Sequence, residues 1–293
     1  MQLDSLNLSL TALAQFAKND HALTINRITF KDHNSSFALR HLAGKVNIDT
    51  THTEVFDMQI ITNRTNLRMS AQLEDLNLLN NTDPVNWENT PVQAMLYADS
   101  VSALDLRYFM PDLDFLNGSV ALDLDAEGTY GNLAIKHMEV ALSNSTLSMT
   151  GSLKNLNTPE HLFIDAQLDR TSISYADIRT HLPGLDIPNL SYLGQVYIDE
   201  ATFRGEPSNF ESKFNISTAI GSFKGNGKLN VGADPMRYTA HLETRNLNPA
   251  APLAMPDMAG SLNAIIDIEG RGTTLRDLNS RVRLQAFGST IAG

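Results

Sequence analysis

The 293-residue sequence contains no cysteine. That absence excludes disulfides, thiolate nucleophiles and Cys-ligated zinc or iron–sulfur sites together. Positive charge is scarce: 22 Lys and Arg stand against 33 Asp and Glu, a formal net charge of −11. A surface of that sign repels phosphate backbones, so nucleic acid is not an expected partner, and no polybasic patch for anionic lipid is visible. No apolar run approaches the roughly 20 residues that a membrane-spanning helix requires. The opening MQLDSLNLSLTALAQFAKND lacks a basic n-region and an adequate apolar stretch, so it does not read as a signal peptide. The other end, AFGSTIAG, stops within a repeating pattern, and the expectation is a fragment of a longer protein.

What is present is alternation with a period of two, the signature of strands with one buried and one wet face. In GSVALDLDAEG (118–128), Val120, Leu122 and Leu124 point one way while Asp123, Asp125 and Glu127 point the other. HMEVALSN repeats the pattern with Met138, Val140 and Leu142, and STLSMTGSL with Leu147 and Met149. HLFIDAQLD carries Leu162, Ile164 and Leu168; the strand after Gly194 carries Val196 and Ile198. Phe214, Ile216 and Leu242 follow, and then Leu262, Ile266 and Ile268 in GSLNAIIDIEG (260–270). These nineteen residues are the candidate lining of an apolar face. Asn, Gly, Asp and Ser between the runs fit short hairpin connections.

The two quoted phrases are nearly the same phrase. Aligning strands on a leading glycine gives Gly44, Gly118, Gly194 and Gly260, about 74, 76 and 66 residues apart. Such a period is the mark of a repeat architecture. Pro111, Pro183 and Pro256 precede later glycines and mark turns or short helical crossovers. The expected fold is all-β and mainly antiparallel: an elongated, twisted, open sheet trough built from repeats. The approximate units are 23–113, 114–189, 190–256 and a partial 257–293.

The chemistry-bearing motifs are thin. GSFKGNGKLN occupies the same place in the repeat as the strands NLRMSAQLEDL and STLSMTGSLKNL; it lacks the Ser or Thr and the spacing of a phosphate-binding loop, and its glycines read as a turn. Asp112, Asp114, Asp123, Asp125 and Glu127 lack the spacing of a calcium loop and read as solvated strand positions. His41 and His52 could approach across a hairpin, but no histidine pair has a recognised metal spacing. No Gly-x-Ser-x-Gly elbow occurs. No catalytic residue, metal or cofactor is therefore expected, and the chain does not read as an enzyme. Trp87, between two prolines, reads as a packing anchor in a surface loop.

The strand phrases 118–128, 147–156 and 260–270, with their proline-containing crossovers, resemble the AsmA/TamB-type proteins of bacterial envelopes. The resemblance is one of repeat texture from about Leu23 onward. It implies an apolar groove that carries or shields phospholipid acyl chains between the inner and outer membranes of a Gram-negative bacterium. It places the chain in the periplasm, attached to a membrane only through parts of a parent protein outside this sequence. Two other readings stay open on the residues alone. One is a scaffold for outer-membrane protein assembly acting through sheet-edge pairing; the other is a closed β-sandwich adhesion module.

Overall fold

The computed structural model describes residues 3–15, 20–76, 89–109, 113, 116–129, 131–156, 158–184, 188–255, 257, 259–272 and 277–291. Trp87, Asp112, Asp114, Pro111 and Pro256 lie outside them. The chain divides into two compact units, Met1–Leu142 with Asn155–Asn157 and Thr180–Gly184, and Ser143–Lys154 with Thr158–Arg179 and Leu185–Gly293.

The first unit contains β1 (Leu3–Gln15), β2 (Asp20–Asp32), β3 (Ala38–Ile48), β4 (His52–Thr62), β5 (Asn66–Glu74) and β6 (Val92–Ser102). The helix α1 (Ala103–Phe109) follows, then β7 (Ser119–Thr129) and β8 (Asn132–Ala141). Every strand from β1 to β8 pairs antiparallel with its chain neighbour. The second unit contains β9 (Thr146–Lys154), β10 (Phe163–Ser174), the helix α2 (Tyr175–His181), β11 (Gln195–Glu206), β12 (Asn209–Thr218), β13 (Gly221–Asn230) and β14 (Arg237–Leu247). It ends with α3 (Ala250–Leu253), β15 (Gly260–Arg271), β16 (Asn279–Ala286) and the short β17 (Thr290–Ile291). Strands β9 to β16 again pair antiparallel in chain order, and β17 pairs with the start of β15.

The architecture is thus all-β, antiparallel, open and repetitive. A short helix follows β6, β10 and β14, so four strands separate successive helices. The repeated glycine phrase opens the strand after each helix: Gly118 precedes β7, Gly194 precedes β11, and Gly260 is the first residue of β15. Gly118 and Gly194 adopt φ of 76° and 64°, the left-handed conformation that turns the chain into the new strand without a Cβ clash. Gly44, aligned with them in sequence, instead lies inside β3. A Cβ there would come within 2.8 Å of the Met58 backbone, so close strand approach explains that glycine.

Each of the first two helices is held by a buried aspartate at its third position. Asp105 of α1 accepts hydrogen bonds from the Thr62 hydroxyl at 2.5 Å, the Thr65 hydroxyl at 2.8 Å and the Arg64 guanidinium at 3.1 Å, all at the β4–β5 turn. Asp177 of α2 accepts from the Asn144 backbone N–H and the Ser145 hydroxyl, both at 2.7 Å, just before β9. The geometry repeats: Ser102 N–H donates to Thr65 Oγ1, and Ser174 N–H donates to Ser145 Oγ. In both cases a Ser-x-x-Asp segment clasps a turn two strands upstream. Helix α3 has Pro252 at its third position; Asn248 N–H donates to Ile220 O at 2.7 Å, and the Asn248 side-chain oxygen accepts the Ala250 N–H at 3.1 Å. Helix α1 also stacks Tyr108 on Phe37, with ring centroids 4.3 Å apart.

Removing either buried carboxylate strands several donors at once. Asp177→Ala and Asp105→Ala should each cost about 1–3 kcal/mol, read as a lower urea midpoint. The pair Asp177→Ala and Ser145→Ala should lose less together than the sum of the two alone. An unchanged midpoint in Asp177→Ala would show that the clasp is ornamental.

Candidate functional site

Strand register decides which side chains share a face, because directly opposed residues point the same way. In the first unit one row passes through all eight strands: Leu8, Ile28, Leu42, Ile60, Leu67, Ala98, Leu122 and Val140. Beside it run Met58, Met69, Leu96, Leu124 and Met138. A third row contains Leu23, Val46, Val55, Ala71, Ala94, Ala126 and Ile135. The second unit repeats the arrangement with Met149, Leu168, Ala201, Phe214, Gly225, Leu242, Ile266 and Leu284. Its neighbouring row runs Ala166, Phe203, Ser212, Gly227, Ala240, Ile268 and Val282.

The nineteen candidate residues all fall on the apolar face of their own unit. Val120 pairs with Val101, Val196 with Ile173, Ile164 with Leu153, Ile198 with Ile216, and Leu262 with Leu247. Leu147 sits two positions before Met149 on β9, while Leu142 and Leu162 flank β8 and β10. Ile198 is 9% exposed; the others are half-buried. Positions on the same face at the outer strands are more open still: Leu6 is 57%, Leu8 59%, Val282 60% and Leu284 52% exposed. The inner positions are therefore shielded by their strand neighbours.

Among the described residues the strands of each unit pair in chain order into one sheet, and no second sheet is formed. The closed sandwich considered from sequence lacks the layer it would need. Surface area agrees. The accessible surface is 17889 Å² for 32.2 kDa, whereas two separate compact bodies of half that mass would expose only about 15,000 Å². Fully buried apolar residues on the strands are few and often small, as with Ala98, Ala126, Ala166 and Ala264.

The opposite face is polar and charge-paired. Asp123 lies opposite Tyr97 and Glu139, and Asp125 opposite Met95 and His137, so these acids occupy a solvated strand face. Glu127 pairs with Lys136 at 2.6 Å, and this hydrogen bond holds the ammonium above its usual range. In the second unit Asp165, Arg204, Glu211 and Lys228 succeed one another across the strands. Lys228 lies 3.1 Å from Glu211 and draws that carboxyl below its ordinary range. Among the described residues no cluster of three or more His, Asp or Glu side chains has the arrangement of a metal site.

Two sequence expectations need correction. GSFKGNGKLN is not a turn but the uninterrupted strand β13. Its glycines serve close packing: a Cβ on Gly225 would lie 2.1 Å from His241 O. His41 and His52 do not face each other, because register sets His41 against Ile61 and His52 against Glu74. The apolar positions of β1 to β6 were missed for a related reason. Bulges such as that at Asp57, with φ of 45°, insert an extra residue and break strict alternation before it resumes.

The face depends on the bare backbone at Gly225. Gly225→Ala should cost about 1–3 kcal/mol through overpacking, with faster amide exchange in β13 and β14 and little change in β2 to β5. Exchange unchanged from the native protein would refute the close-approach account. Compared with known proteins, the chain matches no family model, and neither a curated protein nor a solved structure gives a match.

Proposed function

We propose that the apolar faces hold phospholipid acyl chains, as a segment of a periplasmic, AsmA/TamB-like bridge that carries or shields lipid between the inner and outer membranes. The observation that carries this reading is a set of apolar rows crossing eight strands in each unit, each unit being a single sheet among the described residues. Each methylene removed from water contributes about 0.8 kcal/mol, so an open face can retain hydrocarbon without a dedicated polar anchor. The relief of the face suits a mobile occupant. A strip of small residues, Ala71, Ala94 and Ala126, runs beside the methionine-rich strip Met58, Met69 and Met138. Thioether side chains adapt to a chain that lacks one fixed shape. No turnover chemistry is involved, and no single residue is indispensable. Membrane attachment belongs to parts of a parent protein beyond this sequence.

A second reading, assembly of outer-membrane proteins by strand addition, has one observation behind it. Strand β1 is exposed at all 13 positions and pairs only with β2 among the described residues. It makes backbone pairing at the edge, rather than apolarity of the face, the functional property.

Native mass spectrometry of the purified chain should find phospholipid bound. Leu124→Asp and Ile266→Asp together should reduce the bound fraction about tenfold or more, since each charge desolvates poorly against hydrocarbon. Asp123→Asn should leave it unchanged. Circular dichroism must show the strand signal intact in each variant. A lipid-free native protein, or retention undiminished in the folded double variant, would overturn the proposal.

A further inference from the structure

One rim of the second sheet, at the end of its strands away from α2 and α3, carries a row unlike its neighbours. Register takes Asn209 of β12 to Asn230 of β13, Arg237 of β14, Arg271 of β15 and Asn279 of β16. From β12 to β16 this row contains no carboxylate; the one carboxylate on it stands at β11, where Glu206 faces Asn209. Arg237 and Arg271 lie directly opposite one another, a like-charge pairing that costs stability when nothing lies between. Among the described residues neither forms an ion pair, and nor does Arg281, although Glu269 is its strand partner. Asn230 is turned the same way chemically. Its side-chain oxygen accepts the Ala233 N–H at 2.9 Å, which leaves its amide N–H groups to donate.

These side chains, with Lys228, line an open depression of about 570 Å³. Arg237, Arg271 and Arg281 outnumber Glu269 within the lining, and Lys228, which lies 3.1 Å from Glu211, adds a fourth cation, on a chain whose formal net charge is −11. No polybasic patch is visible in the sequence because the four come from four strands and are adjacent only through register. Leu229 and Tyr238, which belong to the last row of the apolar face, border the same depression.

We infer that this rim binds a phosphate anion, gripped by the planar forks of Arg237 and Arg271 and supported by Lys228 and Arg281. Guanidinium groups match phosphate oxygens two at a time, and an anion between the arginines removes their repulsion. The phosphate can belong to a phospholipid headgroup or be free in solution. The headgroup form rests on the acyl-chain reading above. It sets the phosphodiester on the polar side of the strand ends, with the acyl chains rounding the rim to Leu229 and Tyr238, whose side chains alternate onto the opposite, apolar face.

The test titrates the full chain, by calorimetry, with inorganic phosphate and separately with dihexanoyl phosphatidylglycerol below its micelle concentration. Both should bind, and the double variant Arg237→Gln, Arg271→Gln should weaken each by about tenfold or more. Lys213→Gln, on the same polar face outside the depression, should change neither. All three arginines are exposed, so strand circular dichroism should be preserved. Binding of phosphate alone assigns the site to a free anion and overturns the headgroup form. Lipid binding that the double variant leaves intact overturns the rim and leaves the acyl-chain reading standing. Failure of both ligands to bind, while phospholipid still accompanies the native protein, overturns the rim alone.

Discussion

Everything in this molecule depends on keeping register across strands that have no second layer to correct them. Side chains alternate with a period of two, so a slip of one residue would carry an entire strand's apolar set to the wet face. In a sandwich a facing sheet penalises that error. Here the penalty comes from the adjacent strands alone. Bulges are consequently matched rather than scattered. Arg170, at φ of 44°, offsets β10, and β11 shifts between Ile198 and Glu200 against β12. The result is that Thr171, Ile198 and Ile216 stay in one row although strict alternation fails on two of the strands. At the polar ends of that face, hydroxyls are satisfied within the sheet: Thr244 Oγ1 donates to Leu262 O at 3.2 Å.

The helix clasps add a second check on register. Asp105 and Asp177 each tie the end of a four-strand group to a turn two strands earlier, so a slip anywhere between would break buried, charge-assisted bonds. The third helix lacks the aspartate; Asn248 donates its backbone N–H to Ile220 O and accepts the Ala250 N–H with its side-chain oxygen. The repeat is therefore conserved within the chain as geometry more firmly than as side-chain chemistry. That explains why glycines and alternation, which are backbone signals, align across it better than any polar residue does.

The same logic sets what the sequence could reveal. Strand class and the apolar positions from Val120 onward are legible because long runs there alternate without interruption, as from Val120 to Ala126. The earlier half of the face was not, because bulges at Asp57 and between Ile25 and Ile28 put two residues, instead of one, between same-face positions. The clasps were visible only as Ser-x-x-Asp at 102–105 and 174–177, a spacing common enough to pass as chance. GSFKGNGKLN misled because glycine usually punctuates strands, whereas Gly225 and Gly227 admit a neighbouring backbone. The basic rim had no local signature at all, since its charges converge only when four strands pair.

An open apolar face also constrains the face behind it. Exposed hydrocarbon invites association between molecules, and edge strands invite further pairing. The polar side answers with a row of alternating sign, Asp165, Arg204, Glu211 and Lys228, whose cross-strand pairs favour the native register while the chain as a whole keeps a net charge of −11. Partial neutralisation stabilises the sheet locally; the acidic surplus keeps copies apart. A row that drops the acids, as the rim from Asn209 to Asn279 does, gives up the first benefit. The adjacent row pairs Glu211 with Lys228 and sets Glu269 opposite Arg281, whereas Arg237 faces Arg271, and an anionic occupant supplies the negative charge that this pair lacks.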